Sequence, residues 1–358
     1  MLQKLFATSL ALLCFIGSYC QDTVVAATEE PTPKPIISGS VDVYYRYNFA
    51  NAKNVNGGTT NNFTSFTNSQ NSFELGMASV RIDHSVGKVS VVADLGFGKR
   101  AEDFSYNDEK TMMAIKQAYV SYQVTDKLKL TAGSWATHVG YELVDAYLNR
   151  NYSMSYMFSF GPFFHTGIKA ELASGKSGFM VAVVNPNDLK TASFQQKMLG
   201  AQYSYAASDK WKFFLNYIGG KLNEETNLQQ VDAVLTGVIT DKFSIGYNGT
   251  VQSQKGKDSL GKYGDNDSWW GSALYFNVDP SAKFGLTLRT EYFSDKKSVL
   301  GFDGNIFATT LSANLKAGPL VFIPELRMEN ASREMFVKNS GEGTKSTFTA
   351  LMAAVYRF

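Results

Sequence analysis

Counted back from Phe358 in steps of two, the chain reads Tyr356, Ala354, Met352, Ala350 and Phe348, a face that is apolar throughout and aromatic at both ends. The residues between them, Arg357, Val355, Ala353, Leu351, Thr349 and Thr347, are mixed. A period of two marks a β-strand whose two faces meet different surroundings. The pattern recurs along the chain. Val41, Val43, Tyr45 and Tyr47 oppose Asp42, Tyr44 and Arg46, and Leu128, Leu130 and Ala132 oppose Lys129, Thr131, Gly133 and Trp135. Phe284, Leu286 and Leu288 oppose Thr287, Arg289 and Glu291, while Leu320, Phe322, Leu326 and Met328 oppose Glu325, Arg327 and Glu329. One stretch, S-F-E-L-G-M-A-S-V-R-I-D-H at 72–84, loses the alternation, which predicts a bulge near Met77–Ser79.

Between these strands, short and long connections take turns. The short ones are tight-turn sequences: S-V-G-K at 85–88, T-D-K at 125–127, S-G-K-S-G at 174–178, S-D-K at 208–210, T-D-K at 240–242, D-P-S-A-K at 279–283 and K-A-G-P at 316–319. The long ones, at 50–70, 99–111, 137–164, 186–196, 221–230, 252–267, 295–303 and 330–345, are rich in Asn, Gly, Ser and charge. The segments between them predict about sixteen strands, beginning near residues 36, 71, 88, 112, 127, 165, 178, 197, 210, 231, 242, 268, 282, 304, 319 and 346. An even strand number, with short turns at one end and long loops at the other, is the plan of an all-β, antiparallel, up-and-down transmembrane β-barrel with periplasmic turns and extracellular loops. Closure also accounts for the apolar last strand, because a sheet facing lipid must leave no backbone donor or acceptor unpaired.

The termini and the composition fit that plan. Residues 1–27 carry Lys4, an apolar run from Leu5 to Gly17 and then small residues, the layout of a secretory signal peptide. Val25-Ala26-Ala27 suits the cut, and a cut at Cys20 with lipidation is the alternative. T-E-E-P-T-P-K-P at 28–35 reads as a Pro-rich periplasmic tether, or else as a contact segment, leaving 36–358 for the barrel. Both cysteines precede residue 21, so the body has no thiol for a disulfide, metal site or nucleophile. Aromatics make up 14% of the chain, Gly is abundant at 30 residues and Pro scarce at 8. A formal net charge of +2 gives no basis for nucleic-acid binding. The expected setting is the bacterial outer membrane, with lipid around the barrel.

Face assignment follows from cost: a lysine or arginine on the lipid face costs ~2–4 kcal/mol at mid-bilayer. The charged set should therefore face the lumen: Asp42, Arg46, Asp94, Lys129, Lys169, Glu171, Lys212, Asp232, Arg289, Glu291, Glu325, Arg327 and Arg357. Both signs occur in similar numbers, which predicts a water-filled pore of mild selectivity. Tyr122, Tyr205, Trp211, Phe243, Phe284, Tyr356 and Phe358 lie beside short turns or the C-terminus, as a headgroup girdle on the periplasmic side would; the competing reading is the core of a soluble sandwich.

The segment 137–164 is the exception among the loops. It carries Tyr141, Leu143, Val144, Tyr147, Tyr152, Tyr156, Phe158, Phe160 and Phe163, which have to be buried somewhere. Folding into the barrel would narrow the pore and bring Glu142, Asp145, Arg150 and Tyr152 to the constriction. Packing on the rim, or against a neighbouring subunit or another protein, would also bury it.

A-Y-V-S-Y-Q-V-T-D-K-L-K-L-T-A-G-S-W at 118–135, N-R-N-Y-S-M-S-Y at 149–156 and G-P-F-F-H-T-G-I-K at 161–169 resemble the outer-membrane porins of the OmpL-like β-barrel type. The resemblance runs from about residue 36 to the end. It implies an outer-membrane barrel with a pore, a pore-loop role for 149–153, and a C-terminal signal, Tyr356 and Phe358, read by the barrel-assembly machinery. Homotrimers are usual for barrels of this size by analogy. Catalysis finds no support in the sequence. The histidines are His84, His138 and His165, and no G-x-S-x-G, H-E-x-x-H or phosphate-cradling loop is present. No cofactor or metal is expected, although two of the histidines could bind a metal. The expected function is passive diffusion of small hydrophilic solutes. The alternative is a barrel that serves as a docking or accessory component of a secretion or uptake complex.

Overall fold

The computed structural model describes residues 33–52 and 60–358; the signal peptide and most of the tether expected at 1–35 lie outside the described residues. Antiparallel strands follow in chain order: β1 (Ile36–Asn48), β2 (Ser72–Val86), β3 (Val89–Phe97), β4 (Ile115–Gln123), β5 (Leu128–Ala136), β6 (Phe164–Ser174), β7 (Ser177–Val184) and β8 (Met198–Ala206). They continue with β9 (Trp211–Lys221), β10 (Thr226–Thr240), β11 (Phe243–Gly256), β12 (Asp267–Ser281), β13 (Phe284–Asp295), β14 (Gly304–Ala317) and β15 (Leu320–Ala331). A small hairpin, β16 (Phe336–Val337) and β17 (Gly343–Thr344), precedes the last strand, β18 (Ser346–Arg357). The hairpin stands apart, and the other sixteen strands form one closed barrel in which each pairs with its chain neighbours and β18 pairs with β15 and β1. At the seam Tyr356 lies opposite Val41 and Met352 opposite Tyr45. Phe358 exchanges two 3.0 Å backbone hydrogen bonds with Gly39, so the bare terminal strand has its partner.

The alternation predicted from sequence is the in–out pattern of the wall. Val41, Val181, Leu199 and Phe322 are 40–62% exposed on the outside, where a barrel meets hydrocarbon, whereas Asp42, Glu325 and Arg327 are buried inside. Tyr122, Tyr205, Tyr356 and Phe358 are exposed, and Trp211, Phe243 and Phe284 half-buried, all on the outer face at the short-turn end. That placement removes the sandwich-core reading of these rings.

Two boundaries differ from the pattern. β10 begins at Thr226, not near residue 231, and the expected loop at 221–230 contracts to residues 222–225. Its first turns alternate Leu228 and Gln230 inward with Asn227 and Gln229 outward; above the lipid the outer face needs no apolar residues, so the period is hidden. β4 begins at Ile115 because a 3₁₀ turn occupies Lys110–Ala114. The bulge falls one residue earlier than predicted: Asp42 pairs with Met77 and Val43 with Leu75, leaving Gly76 as the extra residue. A Cβ at Gly76 would overlap the Asp42 carboxylate and the Tyr152 hydroxyl, so the glycine makes room for that contact.

Candidate functional site

The strands β5 and β6 are neighbours, yet the chain between them spans residues 137–163. A hydrogen bond from the Thr137 amide to the Phe163 carbonyl (3.0 Å) closes its base. From there the segment runs into the barrel. Gly140 N–H donates to Asp232 (3.0 Å), and the Tyr141 ring stacks on Tyr275 at 4.2 Å. At the far end the Arg150 guanidinium donates to both oxygens of Asp279 (2.9 and 3.0 Å) and to Thr287 (2.7 Å), next to a short turn. The segment therefore reaches the periplasmic side of the lumen before it turns back.

The return limb is fixed to the wall by its own backbone. Glu325 accepts from the Tyr152 and Ser153 amides (2.8 and 3.2 Å), and Glu291 accepts from the Tyr156 amide (2.8 Å). Arg289 donates to the Ser153 carbonyl (2.7 Å) and to Glu142 (2.6 Å); Arg327 donates to the Met154 carbonyl (2.7 Å). Tyr152 and Tyr156 donate their hydroxyls to Asp42 (2.5 Å) and Glu329 (2.7 Å). The long loops carry short helices, among them α1 (Lys99–Phe104) and α2 (Tyr156–Phe160), and Ser155 caps α2 by accepting from Phe158 N–H (3.2 Å). A loop with this many free amides can enter a barrel only where the wall supplies acceptors, and the inward carboxylates of β13 and β15 do so.

The aromatic residues that marked this segment are buried among partners from other loops and from the wall. Val144, Met154, Phe158 and Phe163 pack with Phe66 and with Phe104 of α1, and Tyr156 packs with Trp269, Phe293 and Ile306. Arg100 of α1 is fully buried, sits 4.7 Å over the Tyr152 ring and donates to the Val144 and Tyr152 carbonyls. Lys116 bridges Asp94 (3.1 Å) and Asp145 (2.5 Å).

The residues expected at a constriction are thus brought together on one segment. Glu142, Asp145 and Tyr152 are buried in the network, and Arg150 is partly exposed. The expected lumen charges divide into two sets. Asp42, Arg46, Asp94, Asp232, Arg289, Glu291, Glu325 and Arg327 point inward but are no more than 4% exposed, because the inner loop or neighbouring loops lie between them and water. Lys129, Lys169, Glu171, Lys212 and Arg357 point inward at the short-turn end and keep contact with water. At mid-height Gln117, Tyr119, Gly133 and Gly167, on β4, β5 and β6, face inward with partial exposure. His138 and His165 meet with ring centres 4.9 Å apart, bonded to the Tyr217 carbonyl and Thr137 Oγ1.

Sequence reasoning missed Arg100, Lys116, Glu329 and Asp188. Of these only Glu329 had a signal, its place in the Glu325–Arg327–Glu329 alternation. Asp188, in the loop between β7 and β8, accepts from the Phe163 and Phe164 amides (2.6 and 3.0 Å) and from the Tyr106 hydroxyl (3.1 Å), which locks the exit of the inner loop. Burial pushes its carboxyl up to about 7, against the hydrogen bonds that favour the ionised form. The native state therefore keeps a proton that the unfolded chain has lost above pH ~4, and this contribution to stability fades as pH rises through about 7. Thermal unfolding of the wild type between pH 5 and 8 is expected to show falling stability with rising pH. Asp188→Asn, which retains the acceptor, is expected to flatten that slope; an equal slope in both proteins would assign it to other groups.

Above the inner loop, an open pocket of about 700 Å³ faces the long-loop side and is lined by residues such as Asn107, Ser159, Phe160 and Gln252. A family model described as "Putative beta-barrel porin-2, OmpL-like" matches residues 36–358. The chain belongs to this OmpL-like family of β-barrel porins. It is an outer-membrane porin of the bacterial outer membrane. No curated protein matches it by sequence. Among solved structures, the porin is similar to the outer membrane channel DcaP of Acinetobacter baumannii, with 10% identity and a TM-score of 0.59 over 90% of this chain and 97% of that one. It is also similar to an anion-selective porin from Comamonas acidovorans, at 10% identity and TM-score 0.58 over 91% and 99% of the two chains. A trimer form of OmpT from Vibrio cholerae matches at 10% identity and TM-score 0.57 over 91% and 99%. At such identities the likeness is one of fold.

Proposed function

We propose that small hydrophilic solutes diffuse passively between the inner loop and the β4–β6 wall, with the 137–163 segment as the constriction. The observation that carries this reading is the asymmetry of the lumen. The wall of β13, β15 and β18 is buried under the loop, whereas Gln117, Tyr119, Gly133 and Gly167 on the opposite wall keep partial exposure. In this reading Glu142, Asp145 and Tyr152 hold the loop in place, and Arg150 faces the water path near the short turns. No step of the function requires catalysis or a cofactor. Tyr356 and Phe358, outward and exposed on a strand that closes the barrel, suit a C-terminal signal for the assembly machinery. A homotrimer is supported by the trimeric form of the Vibrio cholerae neighbour and by an outward apolar groove on β4–β9, about 780 Å³, lined by small residues such as Ala132, Ala170 and Ala201.

The test is single-channel recording of the refolded protein in a planar bilayer. Steady ohmic openings are expected. Silence from protein shown to be folded by its heat-modifiable gel mobility would overturn the diffusion reading and favour the docking alternative.

A further inference from the structure

The near-balance of lumen charges in the sequence hides a separation along the barrel axis. At mid-height the carboxylates outnumber the cations, but they are out of water and several are well supplied with donors. Glu325 accepts from two amides and from Ser312, Asp232 from Gly140, Asn216 and Asn248, and Glu329 from Arg327 and Tyr156. Most of the buried carboxylates are also ion-paired within the protein, Glu142 and Glu291 with Arg289, Glu329 with Arg327, and Asp94 and Asp145 with Lys116, which offsets much of their field in the lumen.

The charges that do meet water lie at the short-turn mouth, and they are mostly positive. On β5 and β6, Lys129 and Lys169 flank one carboxylate, Glu171, at 3.1 and 3.3 Å, and Lys212 is exposed on the inward face of β9. Across the lumen, Arg150 and Lys316 share Asp279 at 2.9 and 3.6 Å. Arg81 pairs with Asp83 at 2.8 Å, and Arg357 is exposed on the inward face of β18. Seven cations thus face three carboxylates, each partly or fully open to solvent.

We propose that this mouth makes the porin select small anionic solutes over cations, with Lys129, Lys169 and Lys212 as the residues that set the preference. The proposal rests on the diffusion reading above. A cleft lined by one sign of charge between low-dielectric walls concentrates counter-ions, and surface potentials there reach several kT. About half a kT at the mouth gives a roughly threefold ratio of anion to cation, since the two ions shift in opposite directions. The Debye length is about 10 Å at 0.1 M salt and about 3 Å at 1 M, so the preference weakens as salt is added.

The experiment is the reversal potential of the full barrel in a planar bilayer under a KCl gradient, at low and at high mean salt. A chloride-to-potassium permeability ratio of about three or more at ~0.1 M, falling toward one at 1 M, is the expected result. The double variant Lys129→Gln, Lys212→Gln should lower the ratio at least about twofold, and Glu171→Gln should raise it. These three side chains are partly or fully solvent-exposed, so the barrel is expected to fold. Steady conductance with a ratio of one or less, or with both variants moving the ratio the same way, overturns this inference and leaves the pore intact. Silence from a folded barrel overturns both the pore and the preference.

Discussion

Removal of residues 141–158 is expected to raise the single-channel conductance several-fold. A sixteen-stranded barrel encloses an aqueous channel unless something fills it, and here the 137–163 segment runs through the lumen to the short-turn side. Residues 137–140 and 159–163 remain in the shortened chain, with the Thr137–Phe163 bond still able to close the loop's base. The wall it exposes does not become a set of orphan charges. Arg327 pairs with Glu329 at 3.0 Å and with Glu291 at 3.3 Å independently of the loop, so these groups can take up water in place of loop backbone. Stability should fall at the same time, because Phe158 and Tyr156 leave two packed aromatic clusters, where truncation of one large side chain costs about 3–5 kcal/mol. Conductance and heat-modifiable mobility are therefore read together. A folded barrel whose conductance is unchanged would mean that the water path does not run past the loop, and the constriction reading would fail.

Much of the barrel was legible because lipid imposes a harsh rule on one face of every strand. Strand starts at 36, 89, 128, 211, 243, 304 and 346 follow within a residue of the predicted positions, since short turns and outward apolar residues leave little freedom. β10 escaped the reading because it rises above the lipid, where Asn227 and Gln229 can point outward without penalty. The inward face obeys no comparable rule. Glu325 reads the same in the sequence whether it meets water or the Tyr152 amide, so the side on which the lumen is filled was not visible. What could be read was the loop's own composition: its aromatic residues called for burial, and an interior site was one of three ways to provide it. Arg100 and Lys116 left no trace, because a short helix in a loop and a bulged residue beside Gln117 carry no periodic signature.

Arg289→Met is expected to be the most damaging single substitution at the loop anchor. Arg289 is fully buried and donates to Glu142, to the Ser153 and Met154 carbonyls and to Thr310, with Glu291 3.7 Å away. Methionine fills similar space but supplies none of these donors, so two carboxylates and two loop carbonyls each lose a donor in a site closed to water, and Glu142 loses its cation. Breaking a buried ion pair from one side costs about 3–5 kcal/mol, mostly through the charge left behind. That cost falls on the closed arrangement of the loop. The variant should therefore unfold at lower temperature and also show larger or noisier openings than the wild type. Glu142→Gln removes the other partner while the Ser155 amide and hydroxyl still seek an acceptor there, and it should be damaging in the same direction. In the double variant each substitution removes the charge that the other had stranded. The combined loss should be smaller than the sum of the single losses by about 0.5–3 kcal/mol. Strictly additive losses would show that Arg289 and Glu142 act separately, and would shift the retention of the loop from this ion pair to the aromatic packing around Phe158 and Tyr156.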